Sequence, residues 1–218
     1  MAKYGRPLVM PAEERCKEIY AAAEKLFGEK GFAHVTMAEI ATAAGMSKKT
    51  LYVHFADKRE LLKSLISSSY LWSAQVVAVE QATQPIESLK QHLAMIAEYV
   101  LSERHLKLCR LAIAENYGFE GMAETFHQMG IATSRKSLMD SIQQIPHMQC
   151  KLNLEPALIA DMLFGGVIGS LLIEALMATG PLEHDWVKIR HNIEQLVDAI
   201  FSSNVLTMDI PCKLKIEE

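Results

Sequence analysis

Three helix starts and one tight turn fall within residues 36–62, TMAEIATAAGMSKKTLYVHFADKRELL, and their spacing leaves few folds open to this chain. Thr36, followed three residues later by Glu39, forms a capping box: the hydroxyl can accept from a free backbone N–H while the carboxylate returns the bond. The helix it opens carries Met37, Ile40, Ala41 and Ala44 at three- and four-residue steps. It then meets Gly45, where a residue without Cβ can take the left-handed conformation that ends helices. Ser47 caps a second helix, predicted only over 48–54, too short to persist without packing. Asp57, again with a glutamate three residues on at Glu60, opens a third, with Lys58 in its first turn. Short capped helices joined by a glycine turn predict a helix-turn-helix.

At about 100° per residue, Leu51 and Phe55 share one face of the middle helix. Lys49, Thr50, Val53 and His54 cover the opposite side, with Lys48 and Tyr52 on a flank. The apolar pair anchors the helix and leaves the polar face free. Two cations, hydroxyls and an imidazole on a helix of this width suit phosphate and base-edge contact in a major groove. The bland alternative is a solvated polar face. Lys58 opposes the helix dipole where it stands, yet a cation there helps a free helix N-terminus hold a DNA phosphate.

Taken together, Ile19, Ala22, Ala23, Leu26, Phe27, Gly31, Phe32, Thr36, Ile40, Ala41, Ala44, Gly45, Ser47, Lys48, Thr50, Leu51, Tyr52, His54, Phe55, Lys58, Leu61 and Leu62 resemble the TetR/AcrR family of transcriptional regulators. The resemblance covers about the first 65 residues. It implies that Thr36, Lys48, Tyr52, His54 and Lys58 touch the phosphate backbone, and that Lys49, Thr50 and Val53 read bases, with Ser47 in the same DNA-facing set. Lys49 departs from the pattern, since such proteins often carry glycine there.

The net charge of −4 is unevenly distributed, which matters because counterion release depends on the charges that face the phosphates. Residues 1–63 hold eleven Lys and Arg against eight Asp and Glu, a balance of +3, leaving −7 for the rest. A mildly basic head on an acidic body is compatible with duplex binding. Ahead of it, within KYGRP at 3–7, the GRP tripeptide resembles the core of an AT-hook, and Arg6 could lie in a narrow minor groove. The other reading of residues 1–11 is a flexible basic arm.

Beyond residue 63 the pattern is helical throughout, giving an all-α expectation with helices near 58–82, 85–101, 103–115, 121–145, 155–178 and 184–203. The expected organisation is a flexible arm at 1–11, a DNA-binding domain at 12–60, an effector-binding and dimerisation domain at 61–203, and a tail at 204–218. Pro156 to Met177 is the most apolar stretch. Only twelve uncharged residues separate Asp161 from Glu174, short of the roughly 20 a bilayer requires, so no membrane span is expected. Gly165, Gly166, Gly169 and Ser170 let another helix approach. Leu163, Gly166, Val167, Ser170, Leu171, Ile189, Ile193, Leu196 and Ile200 are the candidates for a four-helix dimer interface, against the alternative that they close the subunit's own core. The family resemblance favours the dimer. Two-fold symmetry then places two reading helices roughly 34–36 Å apart on an inverted-repeat operator in double-stranded DNA.

Residues 108–130 look like the effector-domain link of the AefR-like branch of the same family, whose members bind small, often apolar effectors. Trp72, Met95, Tyr99, Tyr117, Phe119, Met122, Phe126 and Met129 are candidates to line such a pocket, although residues at helical spacing are more often ordinary core. Cys16, Cys109, Cys150 and Cys212 are widely spaced and suit inert thiols in a reducing cytoplasm. His105 and Cys109 stand four apart, but nothing nearby completes a metal set, so neither metal nor cofactor is expected. No nucleophile with its base, phosphate loop or carboxylate pair appears at enzyme spacing. The expectation is a cytoplasmic, nucleoid-associated homodimer that represses from a palindromic operator and is released by a small molecule. The alternatives are a TetR-like DNA-binding protein acting in chromosome organisation or through a protein partner, and an all-α enzyme.

Overall fold

A computed structural model describes residues 12–69, 84–115, 124, 126–180 and 183–201. Residues 70–82 of the predicted 58–82 helix and 121–123 of the predicted 121–145 helix lie outside them, as do the arm and the tail. The described residues are helical, with a single isolated β-bridge between Cys150 and Phe201. The chain divides into two compact units, Met1–Ala74 with Ser102–Thr133, and Gln75–Leu101 with Ser134–Glu218.

In the first unit, α1 (Ala12–Lys30) buries Ile19, Ala23 and Phe27, spaced by four so that they line one stripe. That stripe packs on α2 (Met37–Ala43) and on α4 (Lys58–Ser69), which buries Leu61, Leu62, Leu65 and Ile66. Between α2 and α4 lies α3 (Lys48–His54). Gly31 ends α1 at φ +78, its N–H donating to Phe27 O at 3.0 Å, a left-handed stop that a side chain would strain. The Phe27 and Phe32 rings then meet 5.1 Å apart.

The same unit holds α6 (Glu103–Glu115), which buries His105, Leu106, Leu108, Cys109 and Ala112. Arg104 Nε binds both carboxylate oxygens of Glu24 at 3.0 and 3.1 Å. Burial pushes the Cys109 thiol up to about 12, which makes it unreactive. Burial, with the Arg104 charge beside it, lowers His105 from 6.5 to about 4. The unfolded chain therefore takes up this proton first, so the stability contribution is full above 6.5, declines toward 4 and levels off below it. Denaturant midpoints measured at the two ends of that window are expected to differ more in the wild type than in His105→Gln. Equal drops in the two proteins would contradict this.

In the second unit, α5 (Pro85–Val100) and α9 (Trp186–Ile200) pack along their apolar faces, Ile86, Leu89, Leu93 and Ile96 on one, Ile189, Ile193, Val197 and Ile200 on the other. Ion pairs flank the contact, Lys90 to Asp198 and Arg190 to Glu98, each at 2.8 Å. His92 is buried on α5 between two hydroxyls of α7 (Ala132–Gln143), Nδ1 2.7 Å from Ser141 Oγ and Nε2 2.8 Å from Ser137 Oγ. Burial lowers its pKa. Lys151 closes the C-terminal end of α9, its N–H on Ile200 O at 2.8 Å and its Nζ on Asp198 O at 2.6 Å.

The long apolar helix α8 (Pro156–Met177) is, among the described residues, the one helix long and apolar enough to cross a bilayer. It carries one π-turn, Gly165–Gly169, and a second precedes α7 at His127–Ile131. Both interrupt stretches that the spacing of apolar residues predicts as unbroken α-helix. A Cβ on Gly166 would lie 3.1 Å from Leu196 Cδ2, so this glycine admits the close approach of α9. Asp161 is held by Arg135 through two bonds of 2.7 and 2.9 Å.

Burial within the single chain divides the interface candidates. Leu163, Val167, Ile189, Ile193 and Ile200 are buried within the single chain and close the subunit's own core, while Leu196 is half-buried beside Gly166. The open side of α8 is the stripe Leu158, Met162, Gly166, Ser170, Ile173 and Met177, at steps of three and four residues, which includes the candidates Gly166 and Ser170. Leu171 is half-buried beside it.

Candidate nucleic-acid interface

The cap of α2 is built as its sequence dictates. Thr36 has extended backbone, its Oγ accepts from Glu39 N at 3.3 Å, and its own N–H donates to Glu39 Oε2 at 2.9 Å. Lys30 Nζ reaches the other carboxylate oxygen at 2.7 Å. These bonds hold the Glu39 carboxyl at about 2, with Lys30 the largest cause. At the far end Met46 N donates to Ala41 O at 2.9 Å and Gly45 N to Thr42 O at 3.1 Å, the two bonds of a Schellman stop around Gly45 at φ +65.

That stop delivers Ser47, whose Oγ accepts from Thr50 N at 3.1 Å and lies 2.9 Å from Thr50 Oγ1. Leu51 on α3 is fully buried and Phe55 nearly so, its ring 5.8 Å from Tyr20 of α1. Anchoring one face exposes the other. Val53 is 77% exposed and Tyr52 44%, Lys48 and Lys49 are exposed, and Thr50 and His54 are half-buried. Lys48 Nζ stands 5.7 Å from the Tyr52 ring centroid. Behind α3, Asp57 Oδ1 accepts from Arg59 N and Glu60 N at 2.7 and 2.8 Å and so caps α4.

The structure thus gathers Lys48, Lys49, Thr50, Tyr52, Val53 and His54 on one short helix, with Ser47 at its cap and Thr36 at the cap before it. Lys58 points elsewhere: its ammonium donates to the carbonyls of Phe32 and Val35 at 2.5 and 2.7 Å. Arg6 lies outside the described residues. So do Trp72, Tyr117, Phe119 and Met122, and the side chain of Met129. Of the remaining pocket candidates, Met95 is exposed and Tyr99 half-buried on α5 in the second unit. Phe126 belongs to the first unit, its ring 6.5 Å from His105. Sequence reasoning missed the exposed stripe of Leu158, Met162, Ile173 and Met177, although its steps of four are visible in the sequence.

Comparison with known proteins places this geometry. Residues 19–65 match the family described as bacterial regulatory proteins, tetR family. The chain is 31% identical over 97 residues to the HTH-type transcriptional regulator TtgR of Pseudomonas putida, 43% of this chain and 46% of that one. It is 33% identical over 89 residues to the HTH-type transcriptional activator FasR of Mycolicibacterium smegmatis, 41% of this chain and 40% of that one. It therefore spans less than half the length of these relatives. Among solved structures, a protein assigned to the TetR-family transcriptional regulators from Mesorhizobium loti superposes with a TM-score of 0.75 at 26% identity, over 88% of this chain and 96% of that one.

Proposed function

For a chain whose residues 19–65 are a tetR-family helix-turn-helix domain, we propose a sequence-specific, DNA-binding transcriptional regulator that acts in the cytoplasm. The observation that carries this reading is the outward face of α3: Lys48, Lys49, Tyr52 and Val53 stand free while Leu51 fixes the helix from behind. Lys48 and Tyr52, with Thr36 and His54, meet phosphates. Lys49, Thr50 and Val53 reach base edges, and Arg6 follows the adjacent minor groove. The protein works as a homodimer through the open stripe of α8, which two copies cover by laying the helix against itself. A lipid contact is disfavoured because Asp161 and Glu174 share the exposed side with that stripe. Occupying an inverted-repeat operator represses transcription, and a small apolar effector releases it by unequal affinity for two arrangements of the subunit.

Selection from a random duplex library, followed by binding titrations across salt concentrations, tests this. Affinity is expected to fall steeply with salt, and Lys48→Ala with Lys49→Ala to lower the slope by up to about 0.9 for each phosphate that is no longer neutralised. Substituting Lys49 alone should also relax preference at one position of the recovered site. A slope unchanged in the double variant would exclude this face as the one that meets phosphates.

A further inference from the structure

Lys58 stands in the first turn of α4, where a cation opposes the helix dipole. The sequence offers it one evident use, an outward reach to an anion. The structure turns the side chain the other way. Its Nζ donates to Phe32 O at 2.5 Å, to Val35 O at 2.7 Å and to Ala33 O at 3.3 Å, and stands 4.4 Å from the centroid of the Phe32 ring. An ammonium has three donors and no acceptor, so this cradle occupies all of them. The three carbonyls belong to the link between α1 and α2, which starts at the left-handed Gly31 and ends on the Thr36 cap. Fixing that link fixes where α2 begins, and α2 hands its direction to α3 through the Gly45 stop.

We propose that Lys58 is a positioning residue of the reading head and makes no bond to DNA. The proposal rests on the DNA-binding reading above. To reach a phosphate the ammonium would give up charge-assisted bonds to three backbone oxygens. It would also leave the link between α1 and α2 without its tie to α4. The half-buried ammonium is therefore engaged by the head's own backbone and not by the duplex.

Lysine ammonium NMR on the full chain reads this without a variant. Lys58 is expected to give a slowly exchanging ammonium signal in the free protein. That signal should persist on adding a mixed-sequence duplex, with no coupling to phosphorus. A signal that appears only with DNA, or that couples to phosphorus, overturns the proposal. Lys58→Met should leave the salt slope on the same duplex at the wild-type value while amide exchange quickens from Phe32 to Val35. A slope reduced by about 0.9 with unchanged exchange overturns it. Lys58→Arg keeps the charge but directs its donors in a plane, so it should behave as Lys58→Met does, and full recovery by arginine points to a phosphate contact instead. If the wild type binds no duplex at low salt, the DNA-binding reading fails. Lys58 is then judged in the free protein, where a missing ammonium signal with unchanged exchange in Lys58→Met overturns its role.

Discussion

Ile173→Glu combined with Met177→Glu is expected to turn the proposed dimer into a monomer and to remove nearly all of its operator affinity. In the single chain these side chains are 63% and 79% exposed, in line with Leu158 and Met162 along α8. Burying an aliphatic side chain of this size contributes about 1.5–3 kcal/mol. A two-fold interface counts each residue twice, so four burials disappear and four charges must be desolvated. A monomer holds one half-site, and without the linked second half-site the apparent affinity drops by about 10²–10⁴. Sedimentation equilibrium reads the first effect and operator titration the second. A variant that remains dimeric would show that the subunits do not meet through this stripe.

Leu51→Ala is expected to destabilise the head by about 2–5 kcal/mol and to abolish DNA binding although no DNA-facing residue is touched. Leu51 is fully buried, and α3 has seven residues, too few to hold helical structure by local bonds alone. Removing its anchor leaves a cavity against α2 and frees the whole reading face. Val53→Ala, at a side chain 77% exposed, should leave stability within about 0.5 kcal/mol of wild type. Chemical denaturation followed at Tyr and Trp separates the two. Equal stability of Leu51→Ala and wild type would mean that α3 is held by something other than its apolar face.

What was legible in the sequence was local. Thr36 with Glu39, Gly45 and Ser47 each act within five residues of themselves, so their roles follow from residue type and spacing, and the helix predicted over 48–54 has the bounds of α3. Lys58 shows where that reasoning stops. Its partners lie 23 to 26 positions earlier, and nothing nearby in sequence distinguishes an ammonium that faces solvent from one folded back onto a link. The same limit applied to α8 and α9. Leu163 and Val167 are as apolar as Leu158 and Ile173, and only packing against α9 decides which of them are covered. The π-turn at Gly165–Gly169 left no periodic signal, because one extra residue per turn shifts the phase within a stretch that is apolar on both sides.

The central claim, that α3 lies in the major groove, is tested most directly by dimethyl sulfate protection on a selected duplex, since the reagent methylates guanine N7 in the major groove and adenine N3 in the minor groove. Two patches of protected guanine N7 are predicted, centred about one duplex turn apart, roughly 34–36 Å, and absent in Lys48→Ala with Tyr52→Ala. Saturated binding that leaves every guanine N7 as reactive as in free DNA would contradict the account.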